Sequence, residues 1–502
     1  MCVKHGKVSL STQTKETPMA YKMTGRTQTQ LLPSTIDDYV SSADPVRVYD
    51  AFVQALDFKE LGIEIVPYKA GADEYYPKDL LKLMIYGYSY GVRSSRKLEQ
   101  ACHHNLSFIW LMGGLTPQYR TIARFRSENK ESIKKVLKQC VQMCLKLKLI
   151  AGNTLFVDGT GIRANASIKH SWDKKRCQEY LKKVDEHIDR IMDEAQRLDH
   201  EERDLGSLVT LEKELQDQQQ LKNKVEEILK TIEDEEEDAE NEHTASHNTV
   251  DPDCIKMQTR QGKHAAYNAQ IVTDEQHGLI VQSESTRQTD HNQLKRQIDQ
   301  ASQNLGRTPQ NVGSDSGYYS ITDLVKIPES ITVVIPDRGQ VHPDKVSVYN
   351  NPFDRTKFTY DASADEYICP EGKRLPRMGV DRPNHGVAYQ AKAQDCLACR
   401  HFGICTTSRH GRKVNRSDYE VLKERLRKMY DSAKGQLIYA LRKQKVELPF
   451  GHFKRNLSAG QFLLRGQQGT DAELAILSTC FNIVRMMTII GVPELILKLA
   501  KN

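Results

Sequence analysis

The sequence predicts an α/β fold: a mixed sheet with flanking helices, an all-α N-terminal domain, a helical-hairpin insertion and a small Cys-rich insertion. Three observations predict it. Short apolar runs at 154–157, 264–272, 278–281, 311–314 and 331–336 bracket a helical segment at 290–304, the order that places strands in one sheet with helices on its faces. Before residue 150 the periodicity is helical only. Between 173 and 240 apolar residues recur at coiled-coil spacing.

Taken in order, residues 1–30 are polar, rich in Thr, Lys and Gln, and read as a disordered leader. Residues 31–150 form the helical N-terminal domain. Pro77 to Tyr88 is a helix with proline near its start, and Ser94 is the N-cap of the next, with Glu99 in its first turns. The two, joined through Gly91 to Ser94, form either a DNA-contacting helix-turn-helix-like unit or part of an ordinary bundle. Thr154 to Val157 is a strand, opening the first part of the sheet-bearing core (151–172 and 246–340).

The insertion at 173–245 has one seam through Leu181, Val184, Ile188, Ile191, Ala195 and Leu198. Leu205 to Leu208 breaks it, and a second run follows from Leu211 to Ile232, so the segment reads as an antiparallel helical hairpin. A solvated acidic tract, Glu233 to Asp238, ends it. Its expected role is a structural or subunit-contact arm. The runs at 264–272 and 278–281 flank a turn and make a β-hairpin. After the strands near 311 and 331 come the Cys-rich insertion, 341–417, and a C-terminal part, 418–502, entered by a helix from about Asp418 to Glu447.

Charge is segregated along the chain. The net charge is +6, yet residues 173–245 hold 12 Lys and Arg against 24 Asp and Glu, while residues 400–455 hold 15 against 5. Such a basic stretch is the footprint of a phosphate-backbone partner, or else a solvated lysine-rich face. The apolar stretch from Leu474 to Ala500 is interrupted by Asn482, Arg485 and Glu494, which favours a buried helix over a membrane span. No apolar secretory segment follows Met1, so a cytoplasmic protein is expected.

Disulfides are then not expected among the 11 cysteines. Cys369, Cys396, Cys399 and Cys405 stand apart: a Cys-Pro-Glu-Gly knuckle, a Cys-x-x-Cys pair and a fourth thiol that could close a zinc site. The alternative is four reduced thiols that pack together.

Three acids in separate contexts carry the chemistry. Asp158 and Asp315 each follow a short apolar run that gives way to Gly and Ser, as at a strand tip; Glu447 lies in the basic helical stretch. If they converge, three hard carboxylates suit a pair of divalent cations, magnesium or manganese, in phosphoryl transfer.

The motifs resemble a known family. Val157-Asp158-Gly159-Thr160-Gly161-Ile162-Arg163-Ala164-Asn165-Ala166-Ser167, Asp315-Ser316-Gly317-Tyr318-Tyr319-Ser320 and Val446-Glu447-Leu448-Pro449-Phe450-Gly451-His452-Phe453-Lys454 are similar to the three acid motifs of bacterial insertion-sequence DDE transposases, most closely the subgroup numbered eleven eighty-two. Tyr267-Asn268-Ala269-Gln270, the cysteine pattern and the helical segment 31–125 also fit it.

The resemblance implies an RNase H-like catalytic fold and Asp158, Asp315 and Glu447 as a triad holding two Mg²⁺ (or Mn²⁺) ions. It further implies binding to terminal inverted repeats and target DNA, nucleoid association, and a homodimer across paired ends. Tyr439, Arg442 and Lys454 match its signature of DNA-contacting residues around the glutamate, with Arg455 beside them. Arg442 leaves four residues before Glu447 where the family leaves three, and Lys443 leaves three, so both stand as the basic DNA contact. Two other readings stay open: an inactive or domesticated DNA-binding relative, and a coiled-coil scaffold with a zinc knuckle.

Overall fold

A computed structural model describes residues 35–65, 74–200, 205–238, 246–259, 262–341, 352–381 and 386–501. The expected leader, 1–30, lies outside the described residues.

The central sheet is built on β1, Thr154–Arg163. Its first four residues are buried: Thr154 is polar, Leu155, Phe156 and Val157 are apolar, and Leu155 and Phe156 have a strand on each side. β5 (Gly262–Asp274) pairs antiparallel along nearly its whole length, and β7 (Asn311–Gly313) pairs parallel with Thr154 to Phe156 only. β8 (Thr332–Val334) adds parallel to β7. On the far side of β5, β4 (Ile255–Thr259) and β6 (Ile280–Thr286) share one edge, each antiparallel to it. The result is a mixed sheet with the order β4/β6-β5-β1-β7-β8.

Two expectations shift here. Asp158 does not end its strand: β1 runs on to Arg163, because β5 keeps supplying partners after the apolar run stops. The helix expected from about Asp418 to Glu447 is two helices, Glu420–Asp431 and Ala433–Arg455. Ser432 separates them. Its extended backbone breaks the first, and its Oγ caps the second by accepting from Gly435 N at 3.0 Å.

Alternation along β1 assigns its two faces. Phe156 packs with Val334, Ile438 and Val446, beneath the helix Ala433–Arg455. Leu155 and Val157 join the main core, shared with the helices Pro77–Ser89, Lys130–Lys146, Leu294–Leu305 and Gln467–Ile490. That core runs without a break from the N-terminal helices into the sheet.

The helix Gln467–Ile490 is long and apolar enough to cross a membrane by length and composition, yet it is packed inside this core. Its polar residues have a structural reason. Asn482 accepts from Ile280 N and donates to Ile280 O, each at 2.8 Å, while Asp471 accepts from Ser285 N at 2.7 Å. Both residues close the free edge of β6, whose backbone groups would otherwise be buried unpaired.

Two long helices follow β1 in the segment read as a helical hairpin. A short ribbon of β2 (Ser171–Asp173) and β3 (Ser246–Asn248) joins its feet. Its helices are Lys174–His200 and Leu205–Asp238, with Val184 and Ile191 buried from the first seam and Val225 and Ile232 from the second. Gly206, expected in the interruption, lies in the second helix, and the acidic tract is helical to Asp238.

The Cys-rich insertion carries its own antiparallel sheet, β9 (Thr359–Asp361) through β10 (Glu366–Ile368), β11 (Arg374–Asp381) and β12 (Gly386–Gln390) to β13 (Lys413–Ser417). Around Phe358, Tyr367, Leu375, Tyr389 and Val414 it has a separate small core.

Candidate active site

β1 and β7 run parallel but stop at different levels, so a notch opens beside β1 beyond Phe156. Asp158 projects on the Phe156 face, beneath the helix Ala433–Arg455, and Asp315 lies two residues past the end of β7. The two meet at a third side chain from that helix. Arg442 Nη2 lies 2.9 Å from Asp158 Oδ1 and 3.3 Å from Asp315 Oδ2. Arg442 is buried, so it does not stand free to hold DNA in this arrangement.

Burial pushes the Asp158 carboxyl up to about 7; Arg442 opposes the rise, and the charge of Asp315 adds to it. Asp315 is raised by burial too, again against Arg442. Two half-buried acids thus share one cation, and the pair is arranged to need positive charge.

Glu447 stands differently. It is exposed, and among the described residues no hydrogen bond or ion pair of its side chain is seen. Arg442, five residues before it, reaches β1 at Asp158; Lys454, seven residues after it, donates to Thr160 Oγ1 at 2.8 Å. With a rise of about 1.5 Å per residue, Glu447 lies between these two anchors on the helix over the β1 acid. Lys443, Glu447, Gly451 and Lys454 follow the spacing of one helix face. Pro449 sits two residues beyond Glu447 and lacks the N–H that would bond the carbonyl of Lys445, so the turn bearing Glu447 is a weak point in the helix.

The remaining expected contacts divide. Lys443, Lys454 and Arg455 are exposed along this helix. Tyr439 is half-buried, its ring edge-on to Tyr430 at 5.1 Å, with the Arg442 guanidinium 6.0 Å from its centre. Of the two basic candidates, Lys443 faces solvent and Arg442 faces the acids.

Among the described residues, no three His, Cys, Asp or Glu side chains are arranged to hold one metal ion. Arg442 takes the space between Asp158 and Asp315. The donor chemistry there still fits a hard divalent cation, because two carboxylate oxygens already converge on one positive group.

The four cysteines are brought to one cavity, which all of them line. Cys369 Sγ accepts from Lys373 N and Cys396 Sγ from Arg412 N, both at 3.3 Å. Burial raises the Cys405 thiol, and the other three sulfurs add to the rise. None of the four is in a disulfide.

Sequence reasoning gave no role to a polar layer on the other face of the sheet. Asn268 and Gln270 are buried in β5, and both donate to Asp290, ahead of the helix Leu294–Leu305. Two amides at alternating positions within the apolar run 265–272 were the available signal.

On the N-terminal helices, Arg96 and Arg120 both flank the Tyr119 ring, at 5.1 and 5.9 Å, and both are exposed. They form a basic patch on the helices Ser95–His104 and Tyr119–Glu128.

Two family models match parts of the chain. Residues 34–128 match a transposase domain described as DUF772, and residues 368–487 match a transposase DDE domain. The second match contains Glu447, its basic neighbours and the four cysteines; Asp158 and Asp315 lie outside both. No curated protein and no solved structure matches the chain. The two family matches, one at each end of the chain, support a bacterial-type transposase, an enzyme whose implied partner is DNA.

Proposed function

We propose that the chain is an insertion-sequence transposase of the subgroup numbered eleven eighty-two. In this reading it binds the element's terminal inverted repeats and catalyses divalent-cation-dependent cleavage and strand transfer through Asp158, Asp315 and Glu447 on an RNase H-like core. The observation that carries the proposal is the meeting of Asp158 and Asp315, from separate parallel strands, under the helix that bears Glu447. A mixed sheet whose antiparallel β5 lies beside β1, with β7 and β8 parallel on the other side, supports the catalytic fold.

Asp158 and Asp315 would hold the cation, with Glu447 brought in from the helix above. A bound Mg²⁺ or Mn²⁺ supplies Lewis acidity to the scissile phosphate and lowers the pKa of an attacking water or hydroxyl. The chain's own residues do the rest. Asp158 must be ionised to take part, and at about 7 its carboxyl is poised near neutrality. Arg442 holds the two acids together, and it must yield its place between them. Lys443, Lys454 and Arg455 offer exposed charge to phosphates along the same helix, and Arg96 with Arg120 offers a second contact on the N-terminal helices. The helical hairpin would serve pairing of two copies on paired ends.

The four thiols supply the soft donor set of a structural zinc, with backbone N–H groups on two sulfurs. Metal analysis of purified protein should find one zinc per chain, reduced by Cys399→Ser; protein without zinc would leave a thiol cluster.

One observation favours a second reading, a DNA-binding relative without turnover: Glu447 stays outside the acid pair, which Arg442 already neutralises. Incubating the element's ends with the protein, with and without Mg²⁺, separates the two. An active enzyme nicks the ends only with the cation, and Asp158→Ala stops cleavage while retaining binding.

A further inference from the structure

Asn268 and Gln270 stand opposite Gly161 and Gly159 across the β5–β1 ladder. Their side-chain amides both donate to Asp290 Oδ1, at 2.8 and 2.7 Å. The buried Tyr318 hydroxyl donates to Gln270 Oε1, which turns the Gln270 NH₂ toward Asp290. Asp290 is therefore held by one oxygen, at a place built for it.

Two glycines admit it. A Cβ at Gly159 would stand 2.3 Å from Asp290 Oδ1, a distance only a bare backbone tolerates. A Cβ at Gly317 would stand 3.3 Å from Asp290 Oδ2 and 3.0 Å from Asp315 Oδ1. Gly159 is the neighbour of Asp158, and Gly317 lies two residues past Asp315. Asp290 thus approaches the acid pair from the face opposite the helix Ala433–Arg455, and its charge acts on both acids.

We propose that Asp290 is a fourth carboxylate of the cation site, offering Oδ2 beside Asp158 and Asp315 while Asn268 and Gln270 fix Oδ1. The proposal rests on reading that site as one for a divalent cation. The competing role, closing the turn into the helix Leu294–Leu305, uses the Asp290 backbone carbonyl, which accepts from Gln293 N at 3.2 Å. That bond does not require a carboxylate.

Asp290→Asn keeps an oxygen for the two amide donors and replaces Oδ2 with an uncharged NH₂. Mn²⁺ binding to the full chain without DNA, followed by electron paramagnetic resonance, is the readout. The expected result is a loss of Mn²⁺ affinity of roughly tenfold or more at an unchanged Tm. Wild-type affinity in Asp290→Asn overturns the proposal. So does an Asp290→Ala protein that melts earlier but binds Mn²⁺ normally when folded. Wild-type protein that binds Mn²⁺ through Asp158 but cuts no DNA refutes the transposition reading and leaves Asp290 in the site. Binding untouched by Asp158→Asn refutes both.

Discussion

Arg442 is the residue on which the site turns. A guanidinium bridging two half-buried acids does the electrostatic work of a metal ion, lowering carboxyls that burial raises. Removing it should free the space between Asp158 and Asp315 for another cation. In Arg442→Met, Mn²⁺ affinity at pH 8 should therefore rise by roughly tenfold, the scale of one adjacent charge. An alkaline pH matters, because burial raises Asp158 to about 7 with Arg442 in place, and losing Arg442 raises it further. Unchanged or weaker binding would mean that Arg442 does not occupy the cation's place. The spacing of basic residues around Glu447 left Arg442 and Lys443 equivalent, since a sequence does not state which way a helix is rotated. Burial separates them: Arg442 shares the sheet-facing side with Ile438 and Val446, and Lys443 does not.

At the level of elements, the apolar and polar patterns were legible to different degrees. The strands and the β-hairpin follow local periodicity and stand close to where the pattern puts them. The extent of β1 does not, because its second half is held by β5 rather than by its own apolar residues. The polar layer of Asn268, Gln270 and Asp290 was equally hidden, since its meaning depends on pairing across β5 and β1. The helix Gln467–Ile490 shows the same point: Asn482 reads as a flaw in an apolar run and is in fact the partner of a strand edge. Asn482→Leu leaves the Ile280 N–H and C=O buried without partners, and should cost about 2–5 kcal/mol. Urea unfolding measures it; a change below about 0.5 kcal/mol, the size of an ordinary surface substitution, would reject edge closure by this side chain.

Across the whole molecule, the N-terminal helices and the sheet share a core, and one buried ion pair marks the joint. Arg93, in the turn after the helix Pro77–Ser89, donates to Glu473 at 2.7 Å and to the carbonyls of Ser458 and Gln461. Glu473 also accepts from Leu463 and Leu464, so the turn is tied to the loop that follows the helix of Glu447. Arg93→Ala should destabilise the fold by about 3–5 kcal/mol by leaving that charge buried alone. Burial raises the Glu473 carboxyl above its ordinary 4.5, against the effect of Arg93. A carboxyl raised in the fold adds stability that is complete below its unfolded pKa and lost as pH rises through its folded pKa. The deficit of Arg93→Ala should therefore shrink toward pH 4 and grow toward neutrality, and equal losses at both would place the effect elsewhere. Long-range pairs of this kind were invisible in the sequence, because nothing local joins residue 93 to residue 473.

The proposed DNA-cutting site unites Asp158 and Asp315 with Glu447 on the helix above them. Incubation of the element's terminal repeats with wild type and Asp158→Ala, with and without Mg²⁺, tests it most directly. Cleavage at the ends is expected only for wild type with Mg²⁺, with the variant still bound to the repeats. Cleavage by Asp158→Ala, or cleavage by wild type without a divalent cation, would contradict it.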